Sequence, residues 1–275
     1  MQVETPGGAF PPIAHDPMRY ARGTLAVSPT RDIPLLARVR NSRFITHQQL
    51  FEFMQSGSYE YSRNSFNWRI HRLLNTGHIS ICEGKFGHGV MVYRITQDGL
   101  LQLENHGQFA TVLNSRSGHL PHPSQVHHAL ELNSIHLSLI RARVLAAWQS
   151  DVEVSSSNTV SRSPLEKDYD AIVDVWNGDK LARFALEYER TLKSSRKYSR
   201  IRLALENENR IGCVLFLTSG PEIVLHLAHE LSGIPQRLAF ATAPAFRERL
   251  LDTSVLIHPH QPEVQFRQLL RGLFC

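Results

Sequence analysis

"YDAIVDVWNGDKLARFALEYERTLKSSRKY", residues 169–198, decides how the second half of this 275-residue chain is read. Two apolar runs, "YDAIVDVW" (169–176) and "LARFALEYE" (181–189), flank the turn signal "NGDK" and predict two strands. Asp170 opens the first. Glu187 and Glu189 lie two residues apart on the second, so the period of a strand puts both on one face, roughly 7 Å apart. A run of cations follows at once: residues 190–202 hold six basic side chains and no acidic one.

Outward from this stretch the periodicity changes repeatedly. "SSRKYSRIRLALENE" predicts a basic helix, "GCVLFLTS" a buried strand, "EIVLHLAHELS" a helix, "RLAFATA" a strand and "AFRERLLD" a helix. On the N-terminal side, "HHALELNSIHLSLIRARVLAA" (127–147) carries Leu130, Leu137, Ile140 and Val144 at helical spacing, and "DVEV" (151–154) alternates like a strand. The predicted order is αβββαβ with αβα appended, an α/β domain over 127–275. Residues 105–126, rich in Gly, Pro, Ser and His without a period, predict a linker. His119, His122, His127 and His128 match no zinc-ligand spacing and have no cysteine nearby, so no metal site is expected there.

The N-terminal half reads differently. After a Pro- and Gly-rich arm (1–30), "IPLLARVRNSRF" (33–44) predicts a first helix. Thr46 and Gln49 form a capping-box signature opening a second helix over about 46–55. Ser62 caps a third over about 63–75, with Phe66, Ile70, Leu73 and Leu74 on one face and Gly77 closing its end. "HISICEG" and "VMVYRIT" then alternate as a hairpin around "KFGHG", and Thr96 caps a short helix. Three helices and a two-stranded hairpin is the order of an α+β winged helix-turn-helix domain, expected over 31–104.

Turning the third helix by 100° per residue sets Asn64, Ser65, Trp68, His71 and Arg72 opposite the apolar stripe. A helix of that width enters a major groove, so Asn64, His71 and Arg72 are candidates for base or phosphate contact. Arg63, in the first turn, and Lys85, His88 and Arg94, on or beside the hairpin, are candidates for phosphate contact. Trp68 either stacks on a partner or is buried against the arm or the second domain; burial is the expectation. The alternative use of such a domain, contact with proteins alone, stays open.

Charge and composition favour a polyanionic partner. The sequence pI is near 9.3, and residues 31–94 carry nine basic and four acidic side chains, a surplus equal to the whole chain's net +5. No apolar run approaches the roughly 20 residues of a membrane span, and the N-terminus has no secretory-signal pattern. Cys82, Cys213 and Cys275 are odd in number and far apart, which predicts neither disulfides nor zinc and points to a reducing cytoplasm.

The αβββαβ order with Asp170, Glu187 and Glu189 at these places resembles the PD-(D/E)XK nuclease fold. In such nucleases the acids hold magnesium, which activates a water, and a lysine two residues after the strand acid completes the site. Here that position is Glu189, so Lys193 or Lys197 would have to substitute. The winged helix, the stretch "HHALELNSIHLSLIRA", the strand "YDAIVDVW" and the segment "ALEYERTLKSSRKY" together resemble the replication-relaxation family over about residues 31–252. That resemblance implies double-stranded DNA binding linked to plasmid or mobile-element replication, mobilisation or transcriptional control.

The leading expectation is a DNA-binding protein with an inactive nuclease-like domain and no cofactor. Glu187 would then pair with Arg196 or Arg200, and Lys193, Arg196, Lys197 and Arg200 would contact phosphates. One alternative is a magnesium-dependent endonuclease using Asp170, Glu187, Glu189 and Lys197. Another is an adaptor for a relaxase or replication protein. A homodimer is compatible with each.

Overall fold

The structure is a computed structural model that describes residues 27–82, 84, 90–110, 121–235 and 237–271. It is an α+β structure built from a small helical half and a mixed five-stranded sheet. The first half runs α1 (Asp32–Ser42), β1 (Ile45–Thr46), α2 (His47–Ser56), α3 (Arg63–Asn75), β2 (Ile79–Ile81), β3 (Val92–Ile95) and α4 (Gln97–Asn105). Its three strands pair antiparallel in the order β1-β3-β2. Local chemistry sets the helix starts as the sequence predicts. The Thr46 hydroxyl accepts from Gln49 N at 3.1 Å while Gln49 Oε1 accepts from Thr46 N at 3.2 Å, and Ser62 and Thr96 cap α3 and α4. Gly77, at φ +74°, takes the left-handed conformation that ends α3.

The second half runs α5 (Pro123–Arg141), β4 (Leu145–Ser150), α6 (Asp151–Val160), β5 (Ala171–Asn177), β6 (Lys180–Glu189), α7 (Ser195–Asn207), β7 (Cys213–Thr218), α8 (Pro221–Glu230), β8 (Arg237–Thr242) and α9 (Ala243–Arg249). β9 (Ser254–Val255), β10 (Val264–Gln265) and α10 (Phe266–Leu270) close it. The sheet order is β4-β5-β6-β7-β8, antiparallel from β4 to β6 and parallel from β6 to β8. Both faces are buried. Val173, Phe184, Leu186 and Leu215 pack with Ile135 and Leu139 of α5 and with Phe246. On the other face Ile172, Ala185, Val214 and Phe216 pack with Tyr198 and Leu205 of α7 and Leu227 of α8.

Two expectations fail next to each other. The helix predicted to reach residue 147 stops at Arg141, because Arg143 turns to φ +57° and the chain leaves as β4. "DVEV" is the start of a helix: Ser150 accepts from Glu153 N at 3.4 Å and Glu153 Oε2 accepts from Ser150 N at 2.8 Å. That capping box outweighs a four-residue alternation. α5 also begins inside the predicted linker, so only part of residues 105–126 connects elements. His119 lies outside the described residues, and His122 caps α5 by accepting from Ser124 N. Among the described residues no helix is long and apolar enough to cross a membrane. Cys82 and Cys213 are free and buried.

α5 belongs to both halves. Its Leu137 packs into the core of the helical half, Asn133 Nδ2 donates to Phe44 O at 2.8 Å, and Gln49 Nε2 donates to Leu130 O at 2.8 Å. His136 stacks on Trp148 of β4 with ring centroids 4.2 Å apart and meets Phe53 of α2 edge-on at 4.9 Å.

α3 is tied to α1 by buried charges. Arg69, 1% exposed, donates from Nη1 to Asp32 Oδ1 at 2.7 Å and from Nε to Glu60 Oε1 at 2.6 Å. Arg72 donates to the other Asp32 oxygen. Burial alone would raise the Asp32 carboxyl, but hydrogen bonds from Arg72, Ser28 N and Arg69 outweigh it and hold it below the usual carboxylate range. Arg69→Met leaves Glu60 buried without its cation, and an expected loss of about 3–5 kcal/mol follows from breaking a buried pair on one side. Urea denaturation checks this; a loss within experimental error of zero would show that the network is dispensable.

Candidate functional site

β6 delivers the acids. Ala185, Glu187 and Glu189 alternate onto the face that α7 covers, and both glutamates are more than nine-tenths buried. Asp170 precedes β5 and reaches the same end of the sheet, where its Oδ2 accepts from Tyr188 N at 2.7 Å. A partner stands against each carboxylate. Lys167 Nζ lies 2.6 Å from Glu187 Oε1. Lys193 Nζ lies 2.5 Å from Glu189 Oε2, and His128 Nε2, from α5, lies 3.1 Å from Asp170 Oδ1.

The electrostatics follow from burial and neighbours. Burial pushes Glu187 up, and the Asp170 charge adds to this, while Lys167 and Lys193 oppose it; the balance leaves Glu187 raised. Asp170 is buried too, but the His128 hydrogen bond and charge and the Tyr188 amide leave it lowered. Burial depresses His128 and the Asp170 contact outweighs that, so His128 is raised. Lys193, desolvated but paired with Glu189, is also raised.

Several sequence-based placements need correction. Glu187 does not pair with Arg196 or Arg200; its partner is Lys167, 20 positions upstream in the loop before β5. Lys197 is exposed with no ion pair to a described residue, so it does not stand in for the displaced lysine; Lys193 is the one beside the acids. Arg196 and Arg200 are exposed like Lys197.

Magnesium, which the nuclease resemblance implies for an active site, requires several carboxylate or water oxygens around one point. Each carboxylate here is instead directed at an ammonium, an imidazole or a backbone amide. Among the described residues no three His, Cys, Asp or Glu side chains are grouped to hold one ion. The residues as arranged do not fit the metal.

On α3, Asn64 and His71 are exposed as expected. Trp68 is not buried: it is 51% exposed, with the Arg72 guanidinium 5.4 Å from its ring centroid. Arg72 does not face outward. Its long side chain reaches back to Asp32, which has no exposed surface and needs the charge. Arg63 lies over the Phe51 ring at 4.2 Å and donates to Gln48, and Arg94 Nε donates to Ser80 Oγ at 3.2 Å. Lys85 and His88 lie outside the described residues.

Three residues escape the sequence reading. Lys167 and His128 meet their acids through the fold alone, and no local pattern marks them. Asn67 has a signal, since it lies three residues after Asn64 and beside Trp68 on the same face. His47 Nε2 lies 3.0 Å from Asn67 Oδ1, so this nitrogen carries the proton, and His47 Nδ1 lies 2.9 Å from Tyr93 OH. Burial, with Arg63 and His71 nearby, lowers His47 despite the Asn67 bond, which keeps the ring neutral.

The His128–Asp170 pair predicts a pH dependence. A histidine raised by its partner adds stability that is complete below its ordinary value of 6.5 and disappears as pH rises through the elevated value. The stability difference between the parent and His128→Asn, followed by urea denaturation from about pH 5 to about pH 9, should therefore be largest at the acid end and shrink with rising pH. A difference that grows towards alkaline pH would contradict the pairing.

Searches with the sequence and the structure find no matching family model, curated protein or solved structure.

Proposed function

We propose that the protein binds double-stranded DNA, with the helical half used as a winged helix-turn-helix and the mixed sheet as a PD-(D/E)XK-like shell that does not cleave. This is the replication-relaxation type of role, in plasmid or mobile-element replication, mobilisation or transcriptional control. The observation that carries it is on α7. Arg196, Lys197 and Arg200 are exposed and form no ion pair with a described residue, while the acids beside them are already matched by Lys167, Lys193 and His128. Their charge is not spent on the fold and is available to phosphates.

The outward face of α3 supports the second contact. Asn64, Asn67, Trp68 and His71 fall at the i, i+3, i+4, i+7 spacing of one helix face. They offer an amide, an aromatic plane and an imidazole to a groove. His47 fixes the Asn67 amide by its oxygen, leaving Nδ2 without a partner among the described residues.

In fluorescence anisotropy with duplex DNA, Arg196→Ala/Lys197→Ala/Arg200→Ala should weaken binding to every sequence and lower the salt slope by about 0.9 for each phosphate no longer neutralised. Asn64→Ala/Asn67→Ala should instead flatten sequence preference in a random-site selection. Absence of duplex binding by the parent at about 50 mM salt would end the reading.

A magnesium-dependent endonuclease is the second reading, favoured by one observation: Lys193 stands at the acid cluster although the usual strand position holds Glu189. Supercoiled plasmid incubated with magnesium or manganese, beside Glu187→Ala, separates the two. The parent is expected to leave the plasmid intact. Nicking that Glu187→Ala lacks would move the protein among the nucleases.

A further inference from the structure

The acids on β6 meet cations from two directions, and the two are not equivalent. Lys193 follows β6 directly and answers Glu189, four residues before it. Lys167 comes from the loop 161–170, which the chain fastens at several points. Asn158 Nδ2 donates to Asp168 Oδ1 at 2.6 Å and Asn158 Oδ1 accepts from Leu165 N at 2.9 Å. Glu166 N donates to Glu208 Oε2 at 3.1 Å. Tyr169 is fully buried, and the Lys167 ammonium lies 5.0 Å from its ring centroid. Lys167 is thus a largely buried lysine held at both sides, its side chain 17% exposed.

Its ammonium acts on both acids of the pair. It touches Glu187 and stabilises the charge of Asp170, and those two carboxylates repel one another. Two close, buried carboxylates require a cation between them or a proton on one. Glu187 Oε1 is buried and the partner it faces is the Lys167 ammonium. Three carboxylates here face two ammoniums and one imidazole, so a divalent ion would enter a cluster whose charge is already matched.

From this geometry we infer that Lys167 is a tethered cation that takes, against Glu187, the place of a divalent metal ion. Loop 161–170 delivers it, and its charge keeps a metal ion away from the carboxylates it faces. The inference deepens the reading of the sheet as a non-cleaving shell, but it is independent of DNA binding, which rests on α3 and α7.

The test is a titration of the full chain with manganese or magnesium alone, followed by calorimetry and thermal unfolding, for the parent, Lys167→Met and Lys167→Gln. The expected result is no saturable binding to the parent at millimolar metal. The lysine variants should bind one ion and gain a metal-dependent rise in midpoint, with affinity at least about tenfold above the parent. Adding Glu187→Gln to Lys167→Met should abolish that gain, which a merely structural lysine would not explain. Circular dichroism identifies whichever variant keeps its fold, and the two substitutions differ in polarity so that one failing to fold leaves the other. Parent binding equal to that of the variants would overturn the inference, as would folded variants that take up no metal. Duplex affinity, measured in parallel, is expected to stay unchanged on Lys167→Met, so failure of the DNA reading is seen separately.

Discussion

Two acids two residues apart on a strand share a face, and on β6 that face is covered. β6 is the middle strand of five, with β5 on one side and β7 on the other, so Glu187 and Glu189 cannot turn to solvent without breaking the ladder. The rest of the site answers this constraint. One cation comes from upstream on the loop before β5, one from downstream ahead of α7, and α5 supplies an imidazole to the third acid. A buried ion pair of this kind is weak evidence for stability, because desolvation offsets most of the attraction, while removing one partner is costly. The cluster is therefore better understood as a device that fixes where the loop, β6 and α7 meet than as a store of folding energy.

The helical half shows the same principle with the signs exchanged. Nine basic residues between 31 and 94 suggest a basic surface, yet five of them are turned to internal partners. Arg69 and Arg72 hold Asp32, Arg43 pairs with Asp151, Arg40 donates to Gln108 O, and Arg38 lies over the Phe53 ring at 4.2 Å. A formal charge count does not distinguish an arginine that faces water from one that neutralises a buried aspartate. The charge argument for a polyanionic partner moves from the first half to α7, where Arg196, Lys197 and Arg200 are exposed.

What is legible in the sequence is what local chemistry decides. α3 is read at both ends because Ser62 and Gly77 mark them, α2 and α4 because Thr46 and Thr96 cap them, and the pairing of β5 with β6 because "NGDK" separates two apolar runs. The common face of Glu187 and Glu189 follows from a period of two. The boundary between α5, β4 and α6 is lost because a four-residue alternation fits helix and strand equally, and only the Ser150–Glu153 box decides between them. Lys167, His128 and the inward Arg72 are out of reach for another reason. Each is fixed by a partner 20 or more positions away, and no periodicity carries that information.

One helix links the two sites. His128 meets Asp170 near the start of α5, and eight residues on, about 12 Å along the axis, His136 lies between Trp148 of the sheet and Phe53 of the helical half. Asn133 and Leu137, on the same stretch, bond and pack against that half. The helical half is thus not strung on a free linker; it shares a core helix with the sheet. When two surfaces are held by one rigid element, a partner that engages the first meets the second without a further loss of rotational freedom, which is what the proposed reading asks of α3 and α7.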